Sequence, residues 1–247
     1  MIKMALPGIY DMFTQKWNGQ TVWIYSDTHF SDQDLEDGIS NRPTDEEHIK
    51  MINAKVGRKD TLIHLGDVGN IDCVRRLRAA YKVLIMGNHD SGATNYKRVR
   101  KTEIFDVDKY TRAEVKQIME DKYPGWKIDI DEGYDVSHAP FHYWDAVADN
   151  MLFDEVYEGA LIVGEKLILS HEPVDIPWLY NVHGHNHTGA AKPGHTNVCA
   201  DASGYSPLNL NQFLKSGAMA KVQTIHRSTI DKATARKKKR GGKKIGS

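Results

Sequence analysis

The sequence predicts an α/β fold, and two observations indicate it. Between residues 21 and 86, apolar β-type segments alternate with segments whose apolar side chains have helical spacing. This alternation is typical of parallel strand–helix–strand units with right-handed crossovers. A chain of 247 residues, 40% of them hydrophobic, is also long enough for one large domain with a substantial core.

The first half of the domain is expected to contain three strands and two helices. Residues 21–26 are apolar and β-branched, which is typical of a buried strand. Thr44 and Glu47 form a capping box, and Ile49 and Ile52 follow at helical spacing, which predicts a helix. The other predicted elements of this half are a strand at residues 61–65, a helix at 71–80 and a strand at 81–86.

The second half is less regular. Thr111 and Glu114 form another capping box, which predicts a helix that ends near Pro124. Residues 137–154 are rich in aromatic side chains, and we expect them to cover one side of a site. The predicted strands of this half are residues 126–130, 160–163, 166–169 and 180–182.

Five short polar motifs carry most of the functional information. They are Asp27-Thr28-His29, Gly66-Asp67, Gly87-Asn88-His89-Asp90, Ser170-His171-Glu172 and Gly184-His185-Asn186-His187. Each contains Asp, His or Asn, the side chains that bind divalent metals through oxygen or imidazole nitrogen. Four of the five directly follow an apolar β-type segment, so we expect them at the ends of strands. Together they predict a two-metal hydrolase site.

The order and spacing of these motifs resemble the calcineurin-like metallophosphoesterase superfamily. Its pattern is DxH, GD, GNH followed by Asp or Glu, a single His, and GHxH. All five motifs are present between residues 20 and 205, and no ligand position is lost. The D-T-H-F variant is most similar to a small bacterial and phage branch of phosphoesterases. At Ser31 and Asp32 the chain departs from that branch, whose members tend to carry Gly-His, and the departure concerns a substrate contact.

The resemblance implies a four-layer α/β/β/α sandwich, with two facing mixed sheets, helices outside them and the site at one sheet edge. We expect this metallophosphoesterase domain at residues 1–231. Residues 232–247 are basic and Gly-rich with little apolar content, so we expect a disordered tail there.

The resemblance also assigns ligands to two divalent ions. The first metal would bind Asp27, His29, Asp67 and His187, and the second would bind Asp67, Asn88, His171 and His185. Asp67 would therefore bridge the two ions. Mn²⁺ is the first choice because mixed oxygen and nitrogen ligation suits it, with Fe, Ni or Zn as alternatives.

The reaction implied by the resemblance is hydrolysis of a phosphodiester or phosphomonoester by a metal-activated water, without a covalent enzyme intermediate. In this reaction His89 would protonate the leaving oxygen or stabilise charge on the phosphoryl group. Asp90 would hydrogen-bond the His89 ring and fix its tautomer. We assign catalytic roles to these two residues.

Three functions fit the motifs. The leading one is a phosphodiesterase or phosphatase for a small molecule such as a nucleotide. The second is a nuclease acting on DNA or RNA, because the chain has a basic tail and shares its motifs with DNA-repair nucleases of the superfamily. The third is a non-catalytic interaction module, and the intact ligand set argues against it.

Several conspicuous side chains have a structural interpretation beside the functional one. His183 and His64 are expected to be structural. Arg42 is either a phosphate contact, since its planar fork matches phosphate oxygens, or a solvated arginine of a surface loop. The aromatic segment His142-Tyr143-Trp144 either stacks on a substrate or packs in the core, and packing is the favoured alternative.

Composition limits partners and location. The two cysteines, Cys73 and Cys199, cannot form a disulfide framework, so we expect buried reduced thiols. No apolar segment approaches the length of a membrane span, and residues 1–12 do not resemble a signal peptide, so a cytoplasmic location is expected.

The net charge of zero hides an asymmetry. Eight of the 33 basic residues lie in residues 232–247, which contain no acidic residue, so the rest of the chain has a net charge of about −8. The tail either binds nucleic acid or another anionic surface, or it is a solubilising end.

Overall fold

The computed structural model describes residues 21–39, 41–135, 141–164, 166–189 and 192–222, together with residues 232, 234 and 235. The predicted basic tail therefore lies mostly outside the described residues. The strands in these ranges are β1 (Val22–Tyr25), β2 (Thr61–His64), β3 (Tyr81–Ile85), β4 (Arg100–Asp106), β5 (Lys127–Asp135), β6 (Phe141–Asp149), β7 (Glu155–Tyr157), β8 (Leu161–Val163), β9 (Leu167–Ser170), β10 (Tyr180–His183), β11 (His195–Asn197) and β12 (Leu208–Asn209). The helices are α1 (Gln33–Gly38), α2 (Asp45–Lys55), α3 (Ile71–Arg75), α4 (Ala93–Tyr96), α5 (Arg112–Lys122) and α6 (Leu210–Lys215).

A five-stranded sheet with the order β12-β1-β2-β3-β7 forms one half of the core. Its strands β1, β2, β3 and β7 are parallel, and β12 pairs antiparallel at the edge. Every residue of β2 is buried, as expected for a parallel strand that is covered on both faces. The mixed α/β fold predicted from the alternation of strands and helices is thus confirmed.

A four-stranded sheet with the order β11-β10-β9-β8 packs against the first sheet. Strands β9, β10 and β11 are parallel, and β8 is antiparallel. A single apolar cluster joins the two sheets. Its buried members are Val22, Ile24, Ile63, Leu65, Val83, Ile85, Leu161, Leu167, Leu169, Val182, Val198 and Leu210.

Helices α2 and α3 cover the other face of the five-stranded sheet through a second buried cluster, which includes Ile52 and Leu62. The capping box predicted at Thr44 is present, and α2 begins directly after it. The helix predicted at residues 71–80 is shorter than expected. Because Asn53 of α2 bonds to the backbone of Arg76 and Arg78, the chain leaves the helix there and turns towards β3.

The segment between α4 and β7 forms a third sheet, with the antiparallel order β4-β6-β5 and helix α5 on one face. It has its own apolar cluster, which includes Val115, Met119 and Ala146. Trp144 packs against this cluster, so core packing is the correct alternative for that aromatic side chain.

Two features of this third sheet differ from the sequence-based expectation. Strand β5 extends to Asp135, beyond the predicted residues 126–130, because it stays paired with β6 as far as Asp135 and Phe141. The sequence did not indicate this extension, since the second half of β5 is mostly exposed and lacks an apolar stripe. Residues 141–149 of the aromatic segment form the central strand β6, while residues 137–140 lie outside the described residues.

Two facing sheets with helices outside the first are therefore present. A fourth layer outside the second sheet is not established by these clusters, so the exact four-layer sandwich stays a prediction. Within the described ranges, every helix is too short or too polar to span a bilayer.

Candidate metal centre

The carboxyl ends of five strands bring the predicted ligands together. Asp27 follows β1, Asp67 follows β2, Asn88 follows β3, His171 follows β9 and His185 follows β10. Because the strands within each sheet are parallel at these positions, their carboxyl ends lie at a common edge, where ligands bind in open α/β sheets.

Unusual backbone conformations accompany this arrangement. Four of the predicted ligands have positive φ, with values of 57° at Asp27, 41° at His29, 56° at Asp67 and 65° at His185. Left-handed φ is uncommon for residues other than glycine and typically costs about 1–3 kcal/mol. The surrounding hydrogen bonds must hold these residues, which is typical of functional sites.

One group of candidate ligand atoms belongs to Asp27, His29 and His187, and these atoms lie within 4.8 Å of one another. His187 Nε2 is 3.9 Å from Asp27 Oδ1. His29 Nε2 is buried and has no hydrogen-bond partner among the described residues. The ring donates its other N–H to Asp32, at an Nδ1–Oδ2 distance of 3.2 Å, so Nε2 carries a free lone pair in the neutral ring.

A second group belongs to Asp67, His171 and His185, also within 4.8 Å. His171 Nε2 is 3.2 Å from Asp67 Oδ2 and 3.1 Å from His185 Nδ1. The same nitrogen is 2.8 Å from Asn88 Oδ1. His171 donates its Nδ1–H to the carbonyl oxygen of Leu65, at 2.8 Å. Nε2 of the neutral ring is therefore an acceptor that faces other acceptors.

The close approach of these acceptor atoms shows whether the chemistry of the site suits metal ions. Lone pairs of Asp67, Asn88 and His171 approach one another with no proton between them when the ring is neutral, and such contacts are unfavourable without a cation. Burial lowers the pKa of His171, but the nearby Asp67 carboxylate more than offsets this and raises it. The site thus attracts positive charge, for which protons and metal ions compete, and its ligand chemistry fits divalent metals.

Asp67 lies between the two groups. Its Oδ2 is 3.5 Å from His29 Nε2 and 3.2 Å from His171 Nε2. Burial alone would raise the pKa of this carboxyl group. The adjacent His171 and His29 rings and the hydrogen bond from the His89 N–H instead lower it far below the usual range, so Asp67 is ionised.

Asp90 holds the two loops that carry Asp67 and His89. Its carboxylate accepts hydrogen bonds from the backbone N–H groups of Asp67, Val68 and Gly87, at 2.9–3.1 Å. Asp67 in turn accepts from the His89 N–H at 2.9 Å. The expected bond between Asp90 and the His89 ring is not among the hydrogen bonds of the described residues. Asp90 instead orients the backbone of the two loops.

His89 lies at the solvent side of the centre. Its side chain is exposed, and its ring centroid is 5.2 Å from that of His29, with the rings nearly perpendicular. An exposed imidazole beside buried ligands can reach a substrate without displacing a ligand.

Sequence reasoning missed Asp201. Its Oδ2 lies 2.6 Å from Nδ1 of His187, and its Oδ1 accepts a bond from the Tyr205 hydroxyl. Arg42 donates to both carboxylate oxygens of Asp201, and its side chain is only 2% exposed. The interpretation of Arg42 as a solvated arginine is therefore wrong. No motif marks Asp201, because a single Asp after an irregular segment has no distinctive spacing.

Asp32 occupies the position where the chain departs from the branch pattern. Its bond to His29 gives it a role beside a candidate ligand, whereas the sequence had suggested an altered substrate contact.

The two histidines expected to be structural are buried. His64 contacts the Thr28 hydroxyl at 3.0 Å, and burial lowers its pKa to about 3, so it is neutral. His183 donates its Nδ1–H to the carbonyl oxygen of Gly184 at 2.8 Å and belongs to neither ligand group. Both cysteines are free and buried, as predicted, although Cys199 forms an isolated bridge with Ser26 and lies in no regular strand.

Comparison with known proteins identifies the family. The model of the calcineurin-like phosphoesterase family matches residues 20–210. None of the curated proteins matches the chain. Among solved structures, the protein of unknown function AQ665 from Aquifex aeolicus is similar, with 18% identity over 79% of this chain and 98% of that chain and a TM-score of 0.47. The family match covers more than half of this chain and contains all seven predicted ligands. The chain therefore belongs to the calcineurin-like phosphoesterase family, whose members are metal-dependent hydrolases of phosphoester bonds.

Proposed function

We propose that this protein is a dinuclear metal-dependent phosphoesterase that acts on a phosphodiester or phosphomonoester of a small molecule. The position of Asp67 Oδ2 carries the proposal, since this oxygen is within 3.5 Å of one histidine from each ligand group. Two ions roughly 3.5–4 Å apart need a shared carboxylate of this kind to bind the attacking and the leaving oxygen of an in-line displacement.

The proposed ligands follow from the two groups. The first site would use Asp27, His29, Asp67 and His187, and the second would use Asp67, Asn88, His171 and His185. When bound, two divalent ions, with Mn²⁺ as the first choice, would neutralise the phosphoryl oxygens and activate a water as nucleophile. The neutral amide of Asn88 limits the negative charge of the site beside an anionic substrate.

His89 is proposed as the residue that acts on the substrate. Its exposed ring lies beside the first ligand group and can donate a proton to the leaving oxygen. The hydrogen bond from its backbone N–H to Asp67 fixes its distance from the metal ligands. Asp90 supports the same geometry as a positioning residue, because it bonds the backbone on both sides of the centre.

A cavity of about 300 Å³ next to Asn88 and His171 supports a small substrate. Its charged lining residues are Glu158 and Glu172, both exposed, and neither forms an ion pair within the described part of the chain. We propose that the non-reacting part of the substrate lies here. Two carboxylates would repel additional phosphate groups and favour a neutral or cationic substituent.

A nuclease is the second candidate, and the basic tail is the observation that favours it. Eight basic residues near the end of the chain can neutralise nucleic-acid phosphates. The acidic lining of the cavity beside the metal centre argues against a polyanionic substrate at that point, so the nuclease ranks below the small-molecule esterase.

The first test is Mn²⁺-dependent hydrolysis of bis-p-nitrophenyl phosphate and p-nitrophenyl phosphate. We expect His89→Ala to lower kcat by about 10²–10⁴-fold with retained metal binding, since it removes a proton donor. We expect Asp67→Asn to abolish turnover and to reduce the number of bound metal ions. The matched control for His89→Ala is His142→Ala, and the matched control for Asp67→Asn is Asp72→Asn. Both control residues are exposed, and both variants should behave as the wild type.

The outcomes separate the candidates. Faster hydrolysis of the diester would favour a phosphodiesterase, and faster hydrolysis of the monoester a phosphatase. If the metal-loaded protein cleaved single-stranded DNA but neither small ester, the nuclease would replace the leading proposal. Full activity of Asp67→Asn would contradict the dinuclear centre.

A second experiment tests the cavity with p-nitrophenyl phosphorylcholine, a diester with a cationic substituent. In the double variant Glu158→Gln and Glu172→Gln, we expect KM for this ester to rise about fivefold, roughly 1 kcal/mol of lost charge attraction. KM for bis-p-nitrophenyl phosphate should change by less than about twofold, because that ester carries no cation. Glu120→Gln, on the exposed face of α5, is the control. Equal changes for both esters would place the cationic group outside the cavity.

A further inference from the structure

The buried Arg42 guanidinium connects two of the proposed metal ligands. It donates to both oxygens of Asp201, at 2.5 and 2.7 Å, and Asp201 lies 2.6 Å from Nδ1 of His187. Its second terminal nitrogen donates to the carbonyl oxygens of Asp27 and Thr28, at 3.3 and 2.8 Å. One guanidinium thus touches the backbone of one ligand and, through Asp201, the ring of another.

Burial makes these bonds specific in geometry. The side chains of Arg42 and Asp201 are 2% and 5% exposed, so water does not compete for their donors and acceptors. Nη1 bonds both oxygens of Asp201 and Nη2 bonds the Asp27 and Thr28 carbonyls, so the rigid guanidinium plane fixes Asp201 relative to this backbone, which the single ammonium group of lysine cannot do. Asp27 has a positive φ of 57°, and the bond from Arg42 to its carbonyl oxygen helps to hold that conformation.

Asp201 also selects the tautomer of His187. As an ionised carboxylate it accepts a hydrogen bond only when Nδ1 carries the proton. The Nε2 lone pair is then free, and Nε2 is the atom that lies 3.9 Å from Asp27 Oδ1. A neutral imidazole in water has no such constraint, so without Asp201 part of the population would carry its proton on the ligating nitrogen.

The second ligand group has a different support. His171 is oriented by the carbonyl oxygen of Leu65, and within the described ranges no carboxylate contacts Nδ1 of that ring. His185 uses Nδ1 towards the site. Neither histidine contacts Arg42 or Asp201 in the described part of the chain. Loss of Asp201 should therefore affect one site and spare the other.

We infer that Arg42 and Asp201 form a positioning pair for the first metal site, which sets its affinity by fixing the His187 tautomer and the distance between His187 and Asp27. The inference rests on the proposed metal centre and adds a residue pair that no metal-binding motif contains. Hydrogen-bonded partners of ligating histidines typically contribute about 10–100-fold to metal affinity.

The test begins with the full-length protein freed of metal. Nitrogen-15 NMR of the histidine rings, at a pH where His187 is neutral, should show the Nδ1-protonated tautomer in the wild type. In Asp201→Ala we expect a mixture dominated by the Nε2-protonated form. Titration with Zn²⁺, followed at the ring signals of His187 and His171, should then show about 10–100-fold weaker binding at His187 and unchanged binding at His171.

Two further variants separate positioning from stability. Arg42→Lys retains the charge but loses the fork, so binding at His187 should be intermediate between the wild type and Asp201→Ala. Asp175→Ala removes another contact between a carboxylate and a histidine, that of the exposed Asp175 with the buried His195 at 2.8 Å, away from both ligand groups. It should leave both metal affinities unchanged, even if it lowers the free energy of unfolding.

Several results would overturn the inference. One is an unchanged His187 tautomer in Asp201→Ala, and another is equal weakening at His187 and His171. Wild-type protein that binds no metal would overturn both this inference and the proposed function. Wild-type protein that binds two ions but hydrolyses no ester would refute the proposed function alone, because the metal titration does not depend on turnover.

Discussion

At the residue scale, glycines leave space for the carboxylates of the proposed metal centre. A Cβ atom added to Gly87 would lie 2.2 Å from Asp67 Oδ1, and one added to Gly184 would lie 2.2 Å from Asp27 Oδ2. No residue with a side chain fits at these distances. Gly87 and Gly184 are therefore required because a side chain there would overlap a predicted ligand. Gly66 is required for a second reason as well, since its φ of 100° is unfavourable for other residues.

Gly87→Ala should consequently disable the centre without removing any ligand. We expect Asp67 to shift, with a loss of roughly 10²-fold in turnover, because displacements of about 1 Å have effects of that size. The free energy of unfolding should fall by about 1–3 kcal/mol from overpacking. Steady-state hydrolysis of bis-p-nitrophenyl phosphate with Mn²⁺ would measure the first effect, and urea unfolding would measure the second.

The control for this substitution is Gly38→Ala. A Cβ atom at Gly38 would meet nothing within 4 Å, and the residue ends helix α1, where alanine is the better helix former. Its activity and stability should equal or slightly exceed those of the wild type. Wild-type turnover in Gly87→Ala would mean that Asp67 is not held in the position described here.

Residue-level reasoning predicted a two-metal site because four of the five motifs combine a strand end with a metal-binding side chain, and the family resemblance then assigned the ligands to two groups. It could not find Asp201, which is 159 positions from Arg42 in the chain and has no motif around it. Contacts of this kind depend on the packing of irregular segments, and spacing in the sequence does not report them. Asp90 lies in a motif, yet its three backbone bonds became visible only in the structure.

At the scale of elements, two helices carry the same capping box. Thr44 and Glu47 begin α2, and Thr111 and Glu114 begin α5, with both reciprocal bonds formed in each case. Helix α2 packs on the five-stranded sheet, whereas α5 packs on the separate cluster of the third sheet. The two caps therefore stabilise different parts of the molecule.

We predict that each cap can be removed independently. Thr111→Ala should lower the protection of α5 amides against hydrogen exchange by about 1 kcal/mol and leave α2 unchanged, and Thr44→Ala should do the reverse. Each variant is the control of the other. If either substitution lowered protection equally in both helices, the third sheet would not open separately from the two-sheet core.

The predicted elements were most accurate where a cap or a buried apolar segment marked them. Both capping boxes gave the correct helix starts, and the six predicted strands of the two central sheets lie within about a residue of their predicted bounds. Strands β7, β11 and β12 were not predicted, because segments of two or three residues carry too short a pattern. Strand β5 and the short helix α3 were less well predicted. The exposed half of β5 lacks an apolar pattern, and α3 ends because of a tertiary contact from Asn53.

At the scale of the whole molecule, charge is divided along the chain. The part before residue 232 has a net charge of about −8, and residues 232–247 have about +8. The proposed metal centre and the acidic cavity belong to the first part. A function of the tail that depends on charge should therefore be separable from the chemistry of the centre.

Deletion of residues 232–247 tests this separation. Full-length protein should bind DNA at 50 mM salt and lose roughly 10³–10⁵-fold of that affinity by 200 mM, as expected when about eight phosphates are neutralised. The truncated protein should not bind DNA measurably, while kcat/KM for bis-p-nitrophenyl phosphate should stay within about twofold of the full-length value. A control that replaces the eight basic residues of the tail with glutamine keeps the chain length and should match the truncation. If either variant lost small-ester turnover, the tail would belong to the active site. If both cleaved DNA as fast as the full-length protein, nucleic acid would be a substrate recognised by the body of the protein.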